Sequence, residues 1–82
     1  MMRSHEKLVK ATKDMHIGNH SVVIKGTKRD FIYFYTVICA VDDEAKTFHC
    51  DNGGYNTPST NRAIGSYRSY FRSIGYSEVD EI

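Results

Sequence analysis

The chain has 82 residues, a formal net charge of +1 and two cysteines. A chain of this length forms one domain, 1–82, and buries only about 60% of its unfolded surface, so a homodimer or another partner could add stability. The near-neutral charge excludes a general attraction to nucleic acid. No apolar run approaches the roughly 20 residues that span a bilayer, and no signal-peptide core follows Met1-Met2-Arg3. We therefore expect a cytoplasmic protein without a membrane partner.

The N-terminal segment, residues 1–20, is predicted to form a short helix and a connector. Ser4 can cap a helix that ends near Lys13, although its apolar face is thin. The Gly18-Asn19 pair in the connector is a turn signal.

Residues 21–51 are predicted to form a sheet. Phe31–Val41 contains no charged residue and is rich in β-branched and aromatic side chains, which is typical of a central strand buried on both faces. Shorter strand-like runs lie on either side of it. The sequence therefore predicts a three-stranded antiparallel meander, with strands around Val22–Ile24, Phe31–Val41 and Thr47–Cys50 and turns at Gly26–Asp30 and Asp42–Lys46.

The last turn sets the register of the two cysteines. If it centres on Glu44-Ala45, Cys39 lies directly opposite Cys50, close enough to bridge in some geometries. In a reducing cytosol we expect two free thiols, and the alternative of a bridge stays open.

Residues 57–75 are predicted to form an amphipathic helix, with Thr57 as its N-cap, Pro58 as its first residue and Gly75 just past its end. Gly65 inside the helix suggests close packing on the sheet, and the acidic tail, 76–82, is expected to be loose. The predicted fold class is α+β, with this helix packed on one face of the sheet. The apolar face comprises Ala63, Ile64, Tyr67, Tyr70, Phe71 and Ile74.

The other face of the sheet would need a cover. Exposed aromatic patches of that size are rare on monomers. We expect the N-terminal segment or a second subunit to cover it.

The segment between the sheet and this helix is the predicted binding site. A helix start exposes unpaired N–H groups and a partial positive charge, so it can hold an anion or an acidic side chain. Glycines allow close backbone approach, and hydroxyl, amide and guanidinium groups supply donors. The alternative is an ordinary turn with capping residues, because no phosphate-loop signature is present. The predicted ligand or partner residues are Asn52, Gly53, Gly54, Tyr55, Thr57, Ser59, Thr60, Asn61 and Arg62.

Five further cations suggest a second hypothesis. Arg68 and Arg72 extend the site along the helix, near its tyrosines. Lys25, Lys28 and Arg29 form a second basic patch. Clustered cations bind phosphates, so direct nucleic-acid binding is an alternative function.

The sequence predicts no metal, no cofactor and no enzymatic activity. His16 and His20 share a face only if a helix continues through Gly18. His49 and Cys50 are adjacent on a strand and point to opposite faces, so they cannot easily serve one ion or act as a base and its nucleophile.

Four segments of the chain are distinctive in their order: Tyr35–Asp42, Lys46-Thr47-Phe48, Asp51-Asn52-Gly53-Gly54-Tyr55 and Thr57–Ile64. Together they resemble a group of small uncharacterised proteins encoded by bacteriophages, over the middle and C-terminal two-thirds of the chain. The resemblance implies an accessory protein that acts in the host cytoplasm. Such products often bind and block a host protein, including host defence systems, as anti-CRISPR proteins do. The resemblance carries no catalytic residues.

Three hypotheses for function follow. The first is a non-enzymatic binding protein, an inhibitor of a host defence or nucleic-acid-processing complex, with a host protein or complex as its partner. The second is direct nucleic-acid binding. The third is capture of a small phosphorylated ligand, such as a nucleotide signal, at the start of the C-terminal helix.

Overall fold

A computed structural model describes residues 3–81 of the chain. Expectations that fall on Met1, Met2 and Ile82 lie outside this range. The described residues form an α+β fold, as predicted, with a short N-terminal helix and a longer C-terminal helix. None of their helices is long and apolar enough to cross a membrane. The helices are α1, Arg3–Val9, and α2, Pro58–Ser73; the strands are β1, Met15–Ile17, β2, His20–Lys25, β3, Lys28–Tyr33, β4, Thr36–Asp42, β5, Thr47–Cys50, and β6, Ser77–Glu78.

The sheet has six strands in the order β1-β2-β3-β4-β5-β6, so the prediction of three strands was wrong. Strands β1 to β5 pair antiparallel, and β6 pairs parallel to β5. The connector expected before residue 21 contains β1, and the tail expected to be loose contains β6. Both added strands are only two or three residues long. Such short edge strands carry little periodicity of their own, and pairing with a neighbour defines them.

The apolar run Phe31–Val41 is two strands, not one. The chain reverses at Phe34-Tyr35, where Tyr33 pairs with Thr36. The turn predicted at Gly26–Asp30 is shorter in the structure, because β3 already begins at Lys28. Phe34 and Tyr35 are both exposed, and neither is a residue type that signals a turn. The sequence pattern therefore concealed this turn.

Both helices pack on the same face of the sheet. The ring of His5 in α1 stacks on Tyr67 of α2, with 4.2 Å between centroids, and His5 Nδ1 lies 2.9 Å from Ser66 Oγ. The expectation that the N-terminal segment covers the opposite face was therefore wrong. The buried core between the helices and the sheet comprises Leu8, Val9, Val22, Phe31, Ile38, Cys39, Val41, Phe48, Ala63, Ile64, Tyr67 and Phe71.

The ends of α2 agree with the sequence. The Thr57 side chain accepts a hydrogen bond from the backbone N–H of Thr60, and Pro58 is the first helical residue. Gly75 follows the C-cap with φ of 92°, in the left-handed region that glycine favours. Gly65 differs from its prediction, because a Cβ placed there meets no atom of residues 3–81 within 4 Å. The close packing on the sheet that we expected at this glycine is therefore absent from the described part of the chain.

The predicted register of the β4–β5 hairpin is confirmed. Cys39 pairs with Cys50, and Val41 pairs with Phe48. Both cysteines are free thiols; Cys39 is buried, and Cys50 is half-buried.

Candidate binding cleft

Because successive strands from β1 to β5 run antiparallel, the turns between them lie alternately at the two ends of the sheet. We call one the loop end; it carries the turns at Gly18-Asn19 and Phe34-Tyr35, the loop 51–57 and the start of α2. The N–H of Phe34 donates to the carbonyl of Asn19 at 2.8 Å, which joins the two turns there. We call the other the hairpin end; it carries the turns at Gly26-Thr27 and 43–46, which are joined by an equivalent bond from Asp43 to Thr27 at 2.8 Å.

A cleft of about 440 Å³ opens at the loop end. One wall is the β3–β4 turn, and the other is the loop 51–57 with the first turn of α2. We call this the aromatic cleft. Its volume lies within the range of small-ligand and side-chain pockets in proteins. The cleft is lined by Tyr33, Phe34, Tyr35, Thr36, Ile38, Asn52, Tyr55, Thr57, Ser59 and Thr60.

Three aromatic side chains at the cleft are exposed. Tyr35 is 99% exposed, Tyr55 is 61% exposed and Phe34 is 56% exposed. Single exposed apolar residues are common, but a cluster around a concavity marks an interaction site. Among residues 3–81, no charged side chain lines this cleft. The cleft is therefore suited to an apolar or aromatic group.

The turn that forms one wall holds a bulky residue in an unfavourable backbone conformation. Phe34 has φ of 56°, in the left-handed region. Two-residue hairpin turns usually place Gly, Asn or Asp at such positions, because a bulky side chain is strained there. The conformation directs Phe34 to the exposed rim, and its ring stays in contact with Tyr33, 4.6 Å away between centroids.

The loop 51–57 is held by its own polar groups. Asp51 Oδ1 accepts the N–H of Gly53 at 3.0 Å, and Asn52 Oδ1 accepts the N–H of Gly54 at 2.9 Å. The close approach expected of these glycines occurs at Gly53, where a Cβ would overlap Cγ2 of Thr36. These two bonds shape the loop itself, and one of them occupies the amide oxygen of Asn52, a predicted ligand residue.

The start of α2 has little remaining capacity for an anion. Thr57 Oγ1 accepts the N–H of Thr60 at 3.2 Å and donates to Thr60 Oγ1 at 2.8 Å. The N–H of Asn61 binds the Thr57 carbonyl at 3.0 Å, and Pro58 has no N–H. Among the described residues, the N–H of Ser59 is the one backbone donor of the first turn that remains. The capping residues therefore serve the helix itself.

The structure brings about half of the predicted loop residues to the cleft. Five of them line it: Asn52, Tyr55, Thr57, Ser59 and Thr60. Gly53, Gly54, Asn61 and Arg62 lie beside it without lining it; Asn61 Nδ2 instead donates to Asn56 Oδ1 at 2.7 Å. Sequence reasoning missed the opposite wall, Tyr33 to Thr36 with Ile38. The available signal was the aromatic run from Phe31 to Tyr35, which we assigned to the strand interior.

The two arginines further along α2 bind the C-terminal strand. Arg68 Nε donates to Glu78 at 2.9 Å, and Arg72 Nη2 donates to the same carboxylate at 2.7 Å. Hydrogen bonding from Arg68 holds the pKa of Glu78 below its ordinary value. The tail is tied to α2 by these contacts, and both predicted contact residues already have an acidic partner.

The predicted basic patch lies at the hairpin end, away from the aromatic cleft. Arg29 is bound in a fork to Asp43, with both N–O distances at 2.7 Å, and its Nη1 donates to the Val9 carbonyl at 2.9 Å. Its guanidinium also lies over the rings of Phe31 and Phe71. Lys25 and Lys28 are exposed at the β2–β3 turn. The patch and the loop residues therefore do not form one surface.

His5 is buried between α1 and the sheet, beside the half-buried ring of His20. His5 Nε2 lies 3.3 Å from His20 Nδ1, and the ring of His20 stacks on Tyr33. Burial and the neighbouring His20 lower the pKa of His5 to about 4, and burial also lowers the pKa of His20. Both imidazoles are neutral at pH 7. Within the described residues, no three His, Cys, Asp or Glu side chains are grouped as a metal site would require.

Comparisons with protein-family models, with curated proteins and with solved structures found no match. The resemblance to bacteriophage proteins stays a prediction. The function must be inferred from the geometry of this chain.

Proposed function

We propose that this chain is a non-enzymatic binding protein that captures an apolar or aromatic side chain of a protein partner in the aromatic cleft. The observation that carries the proposal is the chemistry of the cleft lining, which is aromatic and aliphatic with neutral polar groups at one wall. Tyrosines at protein interfaces supply much of the binding energy, because they bury a large area and retain a hydroxyl for one hydrogen bond. The resemblance to phage accessory proteins supports an inhibitor of a host defence or nucleic-acid-processing complex as the biological role.

The backbone at Phe34 gives independent support. Strain in a turn persists where the surrounding structure enforces it, and it is concentrated at sites that bind or react. Here the strained residue carries an exposed aromatic ring at the rim of the cleft. Glycine at this position would relax the turn but remove the ring. An interaction that uses the ring explains why phenylalanine stands there.

Nucleic-acid binding receives less support from the geometry. The exposed tyrosines could stack on bases, as they do in proteins that bind single strands. Such proteins also need cations along the backbone path. Arg29, Arg68 and Arg72 are engaged by carboxylates, and Lys25 and Lys28 lie at the hairpin end. A phosphorylated ligand at the start of α2 is also disfavoured, because no cation is among the described residues that line the cleft, and Arg62 lies outside that lining.

Site-specific photo-crosslinking tests the proposal. A photoreactive phenylalanine derivative is placed at Tyr35, at Tyr55 and, as a control at the hairpin end, at Lys28. The tagged proteins are irradiated in bacterial lysate. We expect one protein to crosslink from positions 35 and 55 but not from 28. Equal crosslinking from all three positions would contradict the proposal.

The crosslinked protein is then purified and titrated against single variants. We expect Tyr35→Ala and Tyr55→Ala each to weaken binding roughly tenfold or more, and Lys28→Ala to leave it unchanged. If the retained material is instead a nucleic acid, its affinity should fall steeply with salt, with a log–log slope of about 0.9 per duplex phosphate neutralised. That outcome, with Lys28→Ala weakening binding, would replace the proposal with the nucleic-acid alternative.

A further inference from the structure

The two cysteines occupy a cross-strand position that allows a direct bond between them. The N–H of Asp51 donates to the carbonyl of the directly opposed residue Ile38 at 3.1 Å. Since hydrogen-bonded and non-hydrogen-bonded pairs alternate along an antiparallel ladder, the next pair, Cys39 and Cys50, is non-hydrogen-bonded. The Cα atoms of such a pair are about 4.5 Å apart, which lies within the range that a disulfide spans.

The surroundings of the two thiols differ. Cys39 is fully buried in the core, whereas Cys50 is half-buried and lines a second, polar cavity of about 370 Å³. Arg68 and Asn61 of α2 and Asp51 of the loop also line this cavity. The Cys50 thiol can therefore be reached from solvent, beside one guanidinium and one carboxylate, whereas Cys39 has no exposed surface.

The groups around the pair favour the thiolate at the accessible position. The hydrogen bond from the Cys39 thiol, followed by the positive charges of Arg68 and Arg72, lowers the pKa of Cys50. This lowering exceeds the opposing effects of partial burial and of the Glu78 carboxylate, which both raise it. The same hydrogen bond and deeper burial raise the pKa of Cys39. A thiolate is the nucleophile in thiol–disulfide exchange, so Cys50 is the attacking group.

We propose that Cys39 and Cys50 form a thiol–disulfide exchange site, in which Cys50 attacks a small-molecule disulfide in the polar cavity and Cys39 resolves the product. This site is independent of the function proposed for the aromatic cleft. The bond that it forms joins β4 to β5 one residue before the loop 51–57. Oxidation would thus fix the hairpin from which that loop departs.

The exchange balances in two steps. The Cys50 thiolate attacks one sulfur of the disulfide, a mixed disulfide forms and the first small thiolate leaves. The Cys39 sulfur then attacks Cys50 Sγ, which forms the Cys39–Cys50 bond and releases the second small thiolate, and the proton of the Cys39 thiol passes to that departing thiolate. Two electrons pass from the protein dithiol to the small disulfide, which leaves as two thiols once protonated.

The order of these two steps can be tested by incubating the native full chain with glutathione disulfide and following the products by mass spectrometry. At early times we expect one glutathionyl group, mapped to Cys50. At late times we expect loss of two hydrogens relative to the dithiol form, with both cysteines protected from iodoacetamide. In concentrated urea the preference for Cys50 should disappear, because it depends on the fold. First modification at Cys39, or a final product that links two chains, would overturn the proposal.

Single variants separate the two roles. Cys39→Ala should stop at the mixed disulfide on Cys50, and Cys50→Ala should leave Cys39 unmodified. Circular dichroism establishes that each variant folds. If Cys39→Ala does not fold, the early and late species of the wild-type chain still decide the order of attack. A folded Cys39→Ala protein that takes up no glutathionyl group would also overturn the proposal.

Arg68 has a testable supporting role. Arg68→Gln should slow alkylation of Cys50 at pH 7 roughly two- to fivefold and move its pH midpoint upward, since a nearby positive charge favours the thiolate. Arg62→Gln is the matched control, because Arg62 is an exposed arginine on α2 that does not line the polar cavity. An unchanged midpoint in Arg68→Gln would show that the guanidinium does not activate this thiol.

Discussion

The backbone of Gly53 lies directly against the methyl group of Thr36, so the loop 51–57 is fixed to the first residue of β4. Thr36 lines the aromatic cleft, and the next residues of the loop form the opposite wall. The distance between the two walls therefore depends on this contact. Gly54, the neighbouring glycine, has a positive φ as well, but a Cβ added to it would meet no atom of the described residues within 4 Å.

Replacing these glycines with alanine should separate backbone strain from steric overlap. Gly54→Ala should cost about 1–2 kcal/mol of unfolding free energy, because an L-residue is strained at positive φ. Gly53→Ala should cost about 1–3 kcal/mol more, since its Cβ would overlap Thr36 Cγ2. Urea unfolding monitored by tyrosine fluorescence measures both variants.

Thr36→Ser provides the control, because serine lacks the overlapping methyl group. In the Thr36→Ser background, the cost of Gly53→Ala should fall to that of Gly54→Ala. A double-mutant cycle with no coupling between positions 36 and 53 would contradict this account of the contact.

A second prediction concerns Arg29, which sequence reasoning assigned to a nucleic-acid surface. Its side chain is 13% exposed and forms a fork with Asp43, which also accepts the Tyr76 hydroxyl at 2.8 Å. Although burial raises the pKa of Asp43, the hydrogen bonds from Arg29 and Tyr76 hold it below the ordinary value. Arg29→Ala should lower the free energy of unfolding by about 3 kcal/mol, as measured by urea unfolding at pH 7, because it leaves the partly buried carboxylate of Asp43 without its charged partner.

Two other substitutions are matched to Arg29→Ala. Arg29→Lys keeps the charge but not the planar fork, so it should restore only part of the loss. Lys25→Ala removes an ion pair with Asp30 at 3.5 Å whose lysine side chain is 70% exposed, and it should cost less than about 1 kcal/mol. Similar losses for Arg29→Ala and Lys25→Ala would contradict a structural role for Arg29.

The sequence predicted those features that local chemistry dictates. The Thr57 cap, the ends of α2 and the β4–β5 register follow from residue types within a few positions of one another. The turn at Phe34-Tyr35 could not be predicted, because an aromatic pair has no intrinsic preference for a turn, and a contact distant in sequence, the bond from the Phe34 N–H to the Asn19 carbonyl, helps to hold it. The same reason explains why only one wall of the aromatic cleft was predicted. That wall is the loop 51–57 with the start of α2, whereas the other wall depends on the turn at Phe34-Tyr35.

Gly65 offers a prediction about stability alone. This glycine lies within α2 and is exposed. A Cβ added to it would meet no atom of the described residues within 4 Å, so alanine can occupy the position without a clash. Gly65→Ala should therefore stabilise the protein by about 1 kcal/mol, through better helix propensity and a less flexible unfolded chain. Thermal unfolding should show a higher Tm with unchanged partner binding. A lower Tm would mean that this glycine serves a contact outside the monomer.

The contact between buried His5 and half-buried His20 predicts how the free energy of unfolding depends on pH. His5 is fully buried in the folded chain, where its pKa is about 4, against 6.5 for an ordinary histidine. The groups that face it are His20 from β2 and Tyr67 and Ser66 from α2. Because the folded pKa is depressed, the unfolded state takes up the proton first. The contribution of His5 to the free energy of unfolding is therefore complete above pH 6.5 and is lost as the pH falls toward 4.

We expect wild-type unfolding free energy to fall by about 1–3 kcal/mol between pH 7 and pH 4.5, as measured by urea unfolding at constant ionic strength. His5→Gln removes the titrating ring; it should be less stable than wild type at pH 7 but should lose clearly less stability on acidification. The remaining loss belongs to His20, whose pKa burial also lowers, and near pH 4.5 to the carboxylates of Glu78 and Asp43, whose pKa values are depressed in the folded chain. His16→Gln, which changes an exposed histidine on β1, should follow the wild-type curve. If His5→Gln and wild type lose equal stability over this range, His5 is not the group that destabilises the folded chain in acid.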